Sequence, residues 1–312
     1  MPSQGRSQAL VLALVSALAF GSSGVAAKPL IEAGLDPLHV VWLRIAGTAL
    51  LLSPLAWRRR ALLWERPALL LGFGLLGIMG VQAFYFAAIS RVPVAVALLV
   101  EYLGPLLVLG WVRFVRRAPV SRAAVVGVVL AVAGLACVVQ VWSGLAFDAL
   151  GLGLALCAAA CQAGYFLLAD QGTGEDQPDP LGVITFGFLV AALALTVLAR
   201  PWTMDFSVLA GEVGFDGREV AALLPYGYLV VVATLFAYAT GVVSVRLLSA
   251  PVAGVVACLE AVVAIVLGWF LLREHLAAPQ LVGALLVLAG ALVAQRATPA
   301  RDARETRELL DV

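Results

Sequence analysis

Apolar residues run along this chain in ten stretches of about twenty, at residues 9–27, 38–57, 68–88, 93–112, 123–142, 150–169, 181–199, 222–243, 250–272 and 278–295, broken by Pro, Gly or clusters of charge. None of the stretches alternates apolar and polar with the period of a half-buried strand, so the pattern predicts helices. Twenty residues rising 1.5 Å each reach about 30 Å, the depth of a bilayer's hydrocarbon layer. Inside that layer every backbone N–H and C=O needs a protein partner, which leaves helices or closed barrels, and barrel strands would show the missing period-two alternation. The expected fold class is an all-α integral membrane protein of about ten transmembrane helices.

Composition agrees: 63% of the 312 residues are hydrophobic and 12% charged, and the mean hydropathy is +1.04. A water-soluble core cannot hide so much apolar surface, and the surplus must face lipid. The first stretch, preceded by Arg6, has the look of a secretory signal, but the equally apolar stretches behind it make it the first transmembrane helix. Basic residues set the orientation. With the N-terminus inside, fourteen (Arg6, Arg58, Arg59, Arg60, Arg66, Arg113, Arg116, Arg117, Arg122, Arg246, Arg296, Arg301, Arg304, Arg307) fall in cytoplasmic segments, against five (Lys28, Arg91, Arg200, Arg218, Arg273) outside. Both termini are therefore expected in the cytoplasm of a multi-pass protein of a bacterial inner membrane. The near-balanced formal charge of +1 gives no footprint for nucleic acid. Cys137, Cys157, Cys161 and Cys258 all sit in apolar stretches and read as buried small hydrophobes, with no disulfide framework, metal site or cofactor expected.

Short patterns recur in order along the two halves. Leu12-Ala13-Leu14 returns as Leu154-Ala155-Leu156, Asp36-Pro37-Leu38 as Asp179-Pro180-Leu181, and Pro93-Val94-Ala95 as Pro251-Val252-Ala253. Gly110-Trp111 returns as Gly268-Trp269, and Gly127 and Gly134 are answered by Gly283 and Gly290. The expected organisation is a five-helix repeat at 1–145, a second at 146–297 and a polar cytoplasmic tail at 298–312. Five crossings per copy is odd, so the second copy must enter the membrane upside down. Inverted copies enclose a site at the midplane and rock about it to give alternating access. Gly72, Gly74, Gly77 and Gly80, with Gly151 and Gly153, offer smooth helix faces for static packing or for sliding.

An ionisable side chain at membrane depth is costly unless paired or hydrated, which marks Arg44, Glu101 and Glu260. Glu101 lies mid-way along the fourth helix and Glu260 along the ninth, its repeat mate, one residue out of strict register: Glu101 matches Leu259, and Tyr102 matches Glu260. Either glutamate can exchange a proton as the chamber opens to each side, or serve as a hydrogen-bonded structural group. Arg44, matched by Gly187 in the second half, is placed to anchor a substrate carboxylate with its planar fork, or to hold Glu101 or helix-end carbonyls. Gln82 and Tyr85 lie one turn apart on the third helix, as Gln162 and Tyr165 do on the sixth, a spacing that suits a chamber wall as well as interhelical bonding. Tyr102 and Tyr238 join them as candidates, and Gly21-Ser22-Ser23 is a place for the first helix to loosen.

These residues resemble the EamA family of the drug/metabolite transporter superfamily. The likeness is carried by Phe20-Gly21-Ser22-Ser23 with Lys28, Leu43-Arg44, Pro93-Val94-Ala95, Leu259-Glu260, and Gly268 through Arg273-Glu274 to Gln280 and Gly290. Val100-Glu101-Tyr102-Leu103-Gly104-Pro105-Leu106 and Ala160-Cys161-Gln162-Ala163-Gly164-Tyr165 are similar to the branch that exports threonine and homoserine. The sequence departs from the family at Ala261, where Pro is frequent, at Phe20, where Trp is common, and at Arg273-Glu274. The resemblance implies a ten-helix inverted repeat and metabolite export, commonly driven by protons, so the partners implied are lipid, a small-molecule substrate and H⁺. A nucleotide-sugar or sugar-phosphate antiporter of the same superfamily would need several mid-depth cations where only Arg44 stands. A membrane enzyme would need a metal or nucleophile cluster, but His39 and His275 are far apart, no H-E-x-x-H occurs, and no Walker loop points to ATP. A channel is the remaining alternative class.

Overall fold

The structure, a computed structural model, describes residues 3–117, 121–140, 148–170, 179–215, 218–241, 250–274 and 276–297. Arg246, His275 and the tail at 298–312 lie outside them. Helices α1 (Ser3–Gly21) and α2 (Ser23–Glu32) form the first span and α3 (Pro37–Arg58) the second, followed by the single turn α4 (Leu62–Glu65). The third span runs through α5 (Pro67–Gly72), a π-helical segment (Phe73–Gly80) and α6 (Val81–Ile89). Helices α7 (Val94–Glu101) and α8 (Gly104–Phe114) make the fourth span, α9 (Arg122–Val139) the fifth, α10 (Ala149–Asp170) the sixth and α11 (Pro180–Ala199) the seventh. After the short α12 (Ser207–Ala210), the eighth span, Leu223–Gly241, contains α13 (Leu223–Val230) and a second π-helical segment (Val231–Phe236). Helices α14 (Ala250–Leu271) and α15 (Ala278–Ala297) complete the ten. Leu193 and Val197, 70% and 75% exposed, are typical of an outer surface built for lipid rather than water.

The structure departs from the expected pattern in three places. The first helix does not stop at 27 but runs on to Glu32, because Lys28 finds a partner in Glu274 and stays within the bundle instead of ending the span. The connection between the seventh and eighth spans, outside the all-helical pattern, holds an antiparallel hairpin of β1 (Glu212–Phe215) and β2 (Arg218–Ala221), with Glu212 opposite Ala221 and Phe215 opposite Arg218. Val213, buried on that hairpin, fixes it to the bundle. Cys157, read as buried, is exposed, and Cys137 and Cys161 are half-buried, all three as free thiols.

The repeated motifs do the same work in both halves. Asp36 accepts the Leu38 N–H to cap α3, and Asp179 accepts the Gly182 N–H to cap α11, each followed by Pro at the first helical position. The two π-helical segments lie in the third span and in the eighth, its counterpart. Counterpart helices also lie against one another, antiparallel. Between α3 and α11, His39 bonds the Ala199 carbonyl oxygen at 2.8 Å, the Trp42 indole N–H donates to Thr196 at 2.8 Å, and Arg59 pairs with Asp179. Between α9 and α15 the backbones approach closely at glycines, with Val138 and Val287 buried alongside. A Cβ on Gly283 would stand 2.5 Å from the Gly134 carbonyl oxygen, and one on Gly290 2.5 Å from that of Gly127, so only glycine admits this backbone approach. Of the other glycines expected on smooth faces, Gly74 meets Gly187 and Val190, Gly77 meets Tyr165, and Gly80 meets Cys161, whereas Gly153 has nothing within 4 Å.

Candidate functional site

The fourth span breaks at Glu101. Pro105 has no N–H to return to the Glu101 carbonyl, so α7 ends at Glu101, the chain turns through Tyr102 and Leu103, and α8 starts again at Gly104. Glu101 is buried, and the Gln162 side-chain amide donates to its Oε1 at 3.3 Å. Gly104 makes room for that amide, since a Cβ there would lie 2.3 Å from Gln162 Oε1. The neighbouring Tyr102 hydroxyl donates to Glu260 Oε2 at 3.4 Å. Tyr102 and Glu260 are matching positions of the two halves, so their contact lies on the axis that relates the copies. The first span is interrupted beside them: Ser22 separates α1 from α2 and its hydroxyl shares a hydrogen bond with Tyr228 at 2.8 Å. Gly21 presses on α14, where a Cβ would come 2.6 Å from the Glu260 carbonyl oxygen.

Arg44, 1% exposed, enters from α3. Its Nε donates to Thr234 Oγ1 at 2.5 Å, Nη1 to Gln82 Oε1 at 2.7 Å and Nη2 to the Ala233 carbonyl oxygen at 3.1 Å. The π-helical segment supplies two of these acceptors. Its wider turn sends the Thr234 hydroxyl back five residues to the Leu229 carbonyl oxygen at 2.6 Å, which turns the threonine oxygen and the Ala233 carbonyl toward α3. The guanidinium also stacks over Phe86, 5.3 Å from the ring centroid. Gln82 also lies near the Tyr238 side chain of the eighth span. The reading in which Arg44 pairs directly with Glu101 does not hold: its three guanidinium nitrogens donate to Thr234, Gln82 and the Ala233 carbonyl oxygen instead. Arg44, Glu101 and Glu260 still lie close enough to interact electrostatically.

Of the remaining sequence candidates, Tyr85 is buried beside Gly24, where a Cβ would stand 2.5 Å from its hydroxyl. Tyr165 packs its ring on Phe73 with centroids 4.9 Å apart, on the wall formed by the third and sixth spans. Tyr238 is held edge-on between Phe20 and Phe188, at 4.8 and 5.0 Å. It also borders a small apolar pocket lined by Leu52, Ile184, Thr185, Phe188 and Leu235. Sequence reasoning missed Thr234 and Ala233, which look like any other part of an apolar stretch, and the Lys28–Glu274 pair, whose signal was the chain's one lysine. Among the described residues no group of three His, Cys, Asp or Glu side chains could hold a metal.

A polar cluster thus joins the two halves midway along their spans, and comparison with known proteins identifies the family. The model of the EamA-like transporter family matches the chain twice, at residues 7–140 and 149–295. The chain belongs to the EamA-like transporter family. It is 30% identical over 257 residues, 81% of this chain and 80% of the relative, to the threonine/homoserine exporter RhtA of Salmonella typhimurium strain SL1344. It is 29% identical over 257 residues, with the same coverage, to the threonine/homoserine exporter RhtA of Escherichia coli strain K12. A solved structure described only as "Crystal structure of protein" aligns over 92% of this chain and 96% of its own with a TM-score of 0.53 and 21% identity, a likeness of fold alone. This EamA-like protein is thus a multi-pass membrane transporter with two five-helix repeats, and not an enzyme.

Proposed function

We propose that this EamA-like transporter exports threonine, homoserine or closely related small amino acids across a bacterial inner membrane, by proton antiport, with both termini in the cytoplasm. The repeats, at 1–145 and 146–297, act as oppositely inserted units that rock about a midplane chamber. The observation that carries this reading is the contact of Tyr102 with Glu260, matching positions of the two copies, with the buried Glu101 next to Tyr102 in the chain. Proton and substrate then use the same chamber in turn, with Glu101 and Glu260 as the proton-exchanging groups. Gln82, Tyr85, Gln162, Tyr165 and Tyr238 form its walls. Arg44 has five N–H donors, three of them engaged within the protein, so a substrate carboxylate would take the other two. The relatives named as threonine/homoserine exporters support the substrate class. A phosphate-bearing substrate is disfavoured because Arg44 is largely committed and Lys28 is paired with Glu274.

Proteoliposomes give the test. With threonine or homoserine on one side and an imposed pH gradient, the wild type should concentrate substrate against its gradient and lose that ability with a protonophore. Glu101→Gln and Glu260→Gln should each cut gradient-driven accumulation by about tenfold or more, as expected for loss of a proton-transfer group. Accumulation that ignores the pH gradient in wild type and in both variants would overturn the coupling. Transport rates at the level of free diffusion through a pore would favour a channel.

A further inference from the structure

The single lysine of this chain lies inside a helix. Lys28, on α2, has its ammonium against Glu274, with side chains only 17% and 10% exposed. The same carboxylate receives the Val94 N–H, 3.3 Å from Oε1 and 3.1 Å from Oε2. Pro93 precedes α7 without a capping side chain, so Glu274 fills that place and faces the positive end of the helix. It gets there because Arg273 takes a left-handed conformation (φ 54°) and the Glu274 N–H bonds the Gly268 carbonyl oxygen at 3.0 Å, folding the chain back over the end of α14. Gly268 leaves the room, since a Cβ there would stand 3.1 Å from Glu274 Oε2.

Lys28 and Val94 belong to the first copy and Glu274 to the second, so one carboxylate joins the first, fourth and ninth spans across the repeat boundary. Val94 to Tyr102 and Glu260 to Gly268 are each eight residues, which at 1.5 Å per residue sets this cluster about 12 Å from the Tyr102–Glu260 contact on both helices.

We propose that Lys28, Glu274 and the amino end of α7 form a gate that seals the chamber at the end where they meet, and that they part in every transport cycle. The proposal rests on the alternating-access reading above. Its physical basis is that all three groups are satisfied in two ways: by one another when the spans are together, and by water when they separate. An arrangement with two satisfied states and an unfavourable middle is a switch, whereas an all-apolar seal would expose greasy surface on opening. Glu274 serves two partners, so losing its charge should loosen the gate more than losing Lys28, which leaves the helix cap in place.

The experiment uses the full chain with its four cysteines replaced by alanine and one reporter, Ala97→Cys. Ala97 is buried on α7, one turn from Glu101 and on its face. A membrane-impermeant thiol reagent is applied in proteoliposomes from the side where Lys28 emerges, alongside threonine and homoserine flux. Reporter labelling should rise about tenfold in Glu274→Gln and by less in Lys28→Met, because each shifts the population toward the open state. Lys28→Arg, which keeps the charge, should label like the parent, and Glu274→Asp, which keeps charge but loses reach, should fall between. Equal labelling in parent, Glu274→Gln and Lys28→Met overturns the gate. Should the neutral variants fail to yield monodisperse protein, unchanged labelling in Glu274→Asp overturns it equally. If the variants raise labelling but no amino acid is moved by the parent, the gate stands and the substrate reading falls.

Discussion

Replacing Arg44 by lysine keeps a cation at the same depth but removes the fork. A lysine ammonium cannot reach Thr234, Gln82 and the Ala233 carbonyl together, so the substitution should lower stability by about 2–3 kcal/mol, read as an earlier thermal unfolding transition in detergent. The sequence exposed Arg44 as a lone charge in an apolar stretch but not its partners, because a π-helical turn that presents a carbonyl leaves no mark in composition. Glu101 and Glu260 were legible for the same reason as Arg44, and so was their one-residue offset, but the hydrogen bond from Tyr102 to Glu260 was not read from it. Outside the membrane, Asp148 is held below the usual aspartate range, first by its hydrogen bond from Arg91 and then by the N–H groups of Gly151 and Leu150. A lowered folded-state pKa means its contribution to the start of α10 is whole above the ordinary value of about 3.9 and lost as pH falls through the lower one. Carboxyl NMR of Asp148 should therefore titrate below that value and move up toward it in Arg91→Gln.

At the level of elements, the two halves use the same contacts with different chemistry. Where α3 meets the second π-helical segment, Arg44 bonds the spans together. Where α11 meets the first one, the matching position is Gly187, whose Cβ, if present, would lie 2.5 Å from Phe73. One contact is polar and fixed, and the other is smooth. The α9–α15 contact is smoother still, and it yields a paired prediction. Gly283→Ala would drive a methyl into the Gly134 carbonyl and should cost about 1–3 kcal/mol through forced separation of the helices. Gly153→Ala, with nothing within 4 Å, should stay within about 0.5 kcal/mol of the parent, both measured by thermal unfolding in detergent. Helix positions were readable because a bilayer fixes their length and apolarity. The break at Glu101 was readable only in hindsight from Gly104-Pro105, and the 212–221 hairpin was not, since short exposed strands follow neither rule.

For the whole molecule, the duplication read from scattered triplets reappears as matching caps, matching π-helical segments and antiparallel counterpart helices. Oppositely inserted copies predict that Arg116→Cys and Ala277→Cys, in corresponding connections, label with an impermeant reagent from opposite faces of the membrane. Labelling from one common face would contradict the inversion. The glycine-lined seam between α9 and α15 has a further implication for folding. Made alone, each copy would leave this helix face without the partner helix it fits, so neither is expected to be a self-sufficient folding unit even though a family pattern matches each one separately. Residues 1–145 and 146–297 made as separate chains should be degraded when alone and recovered as a complex when made together.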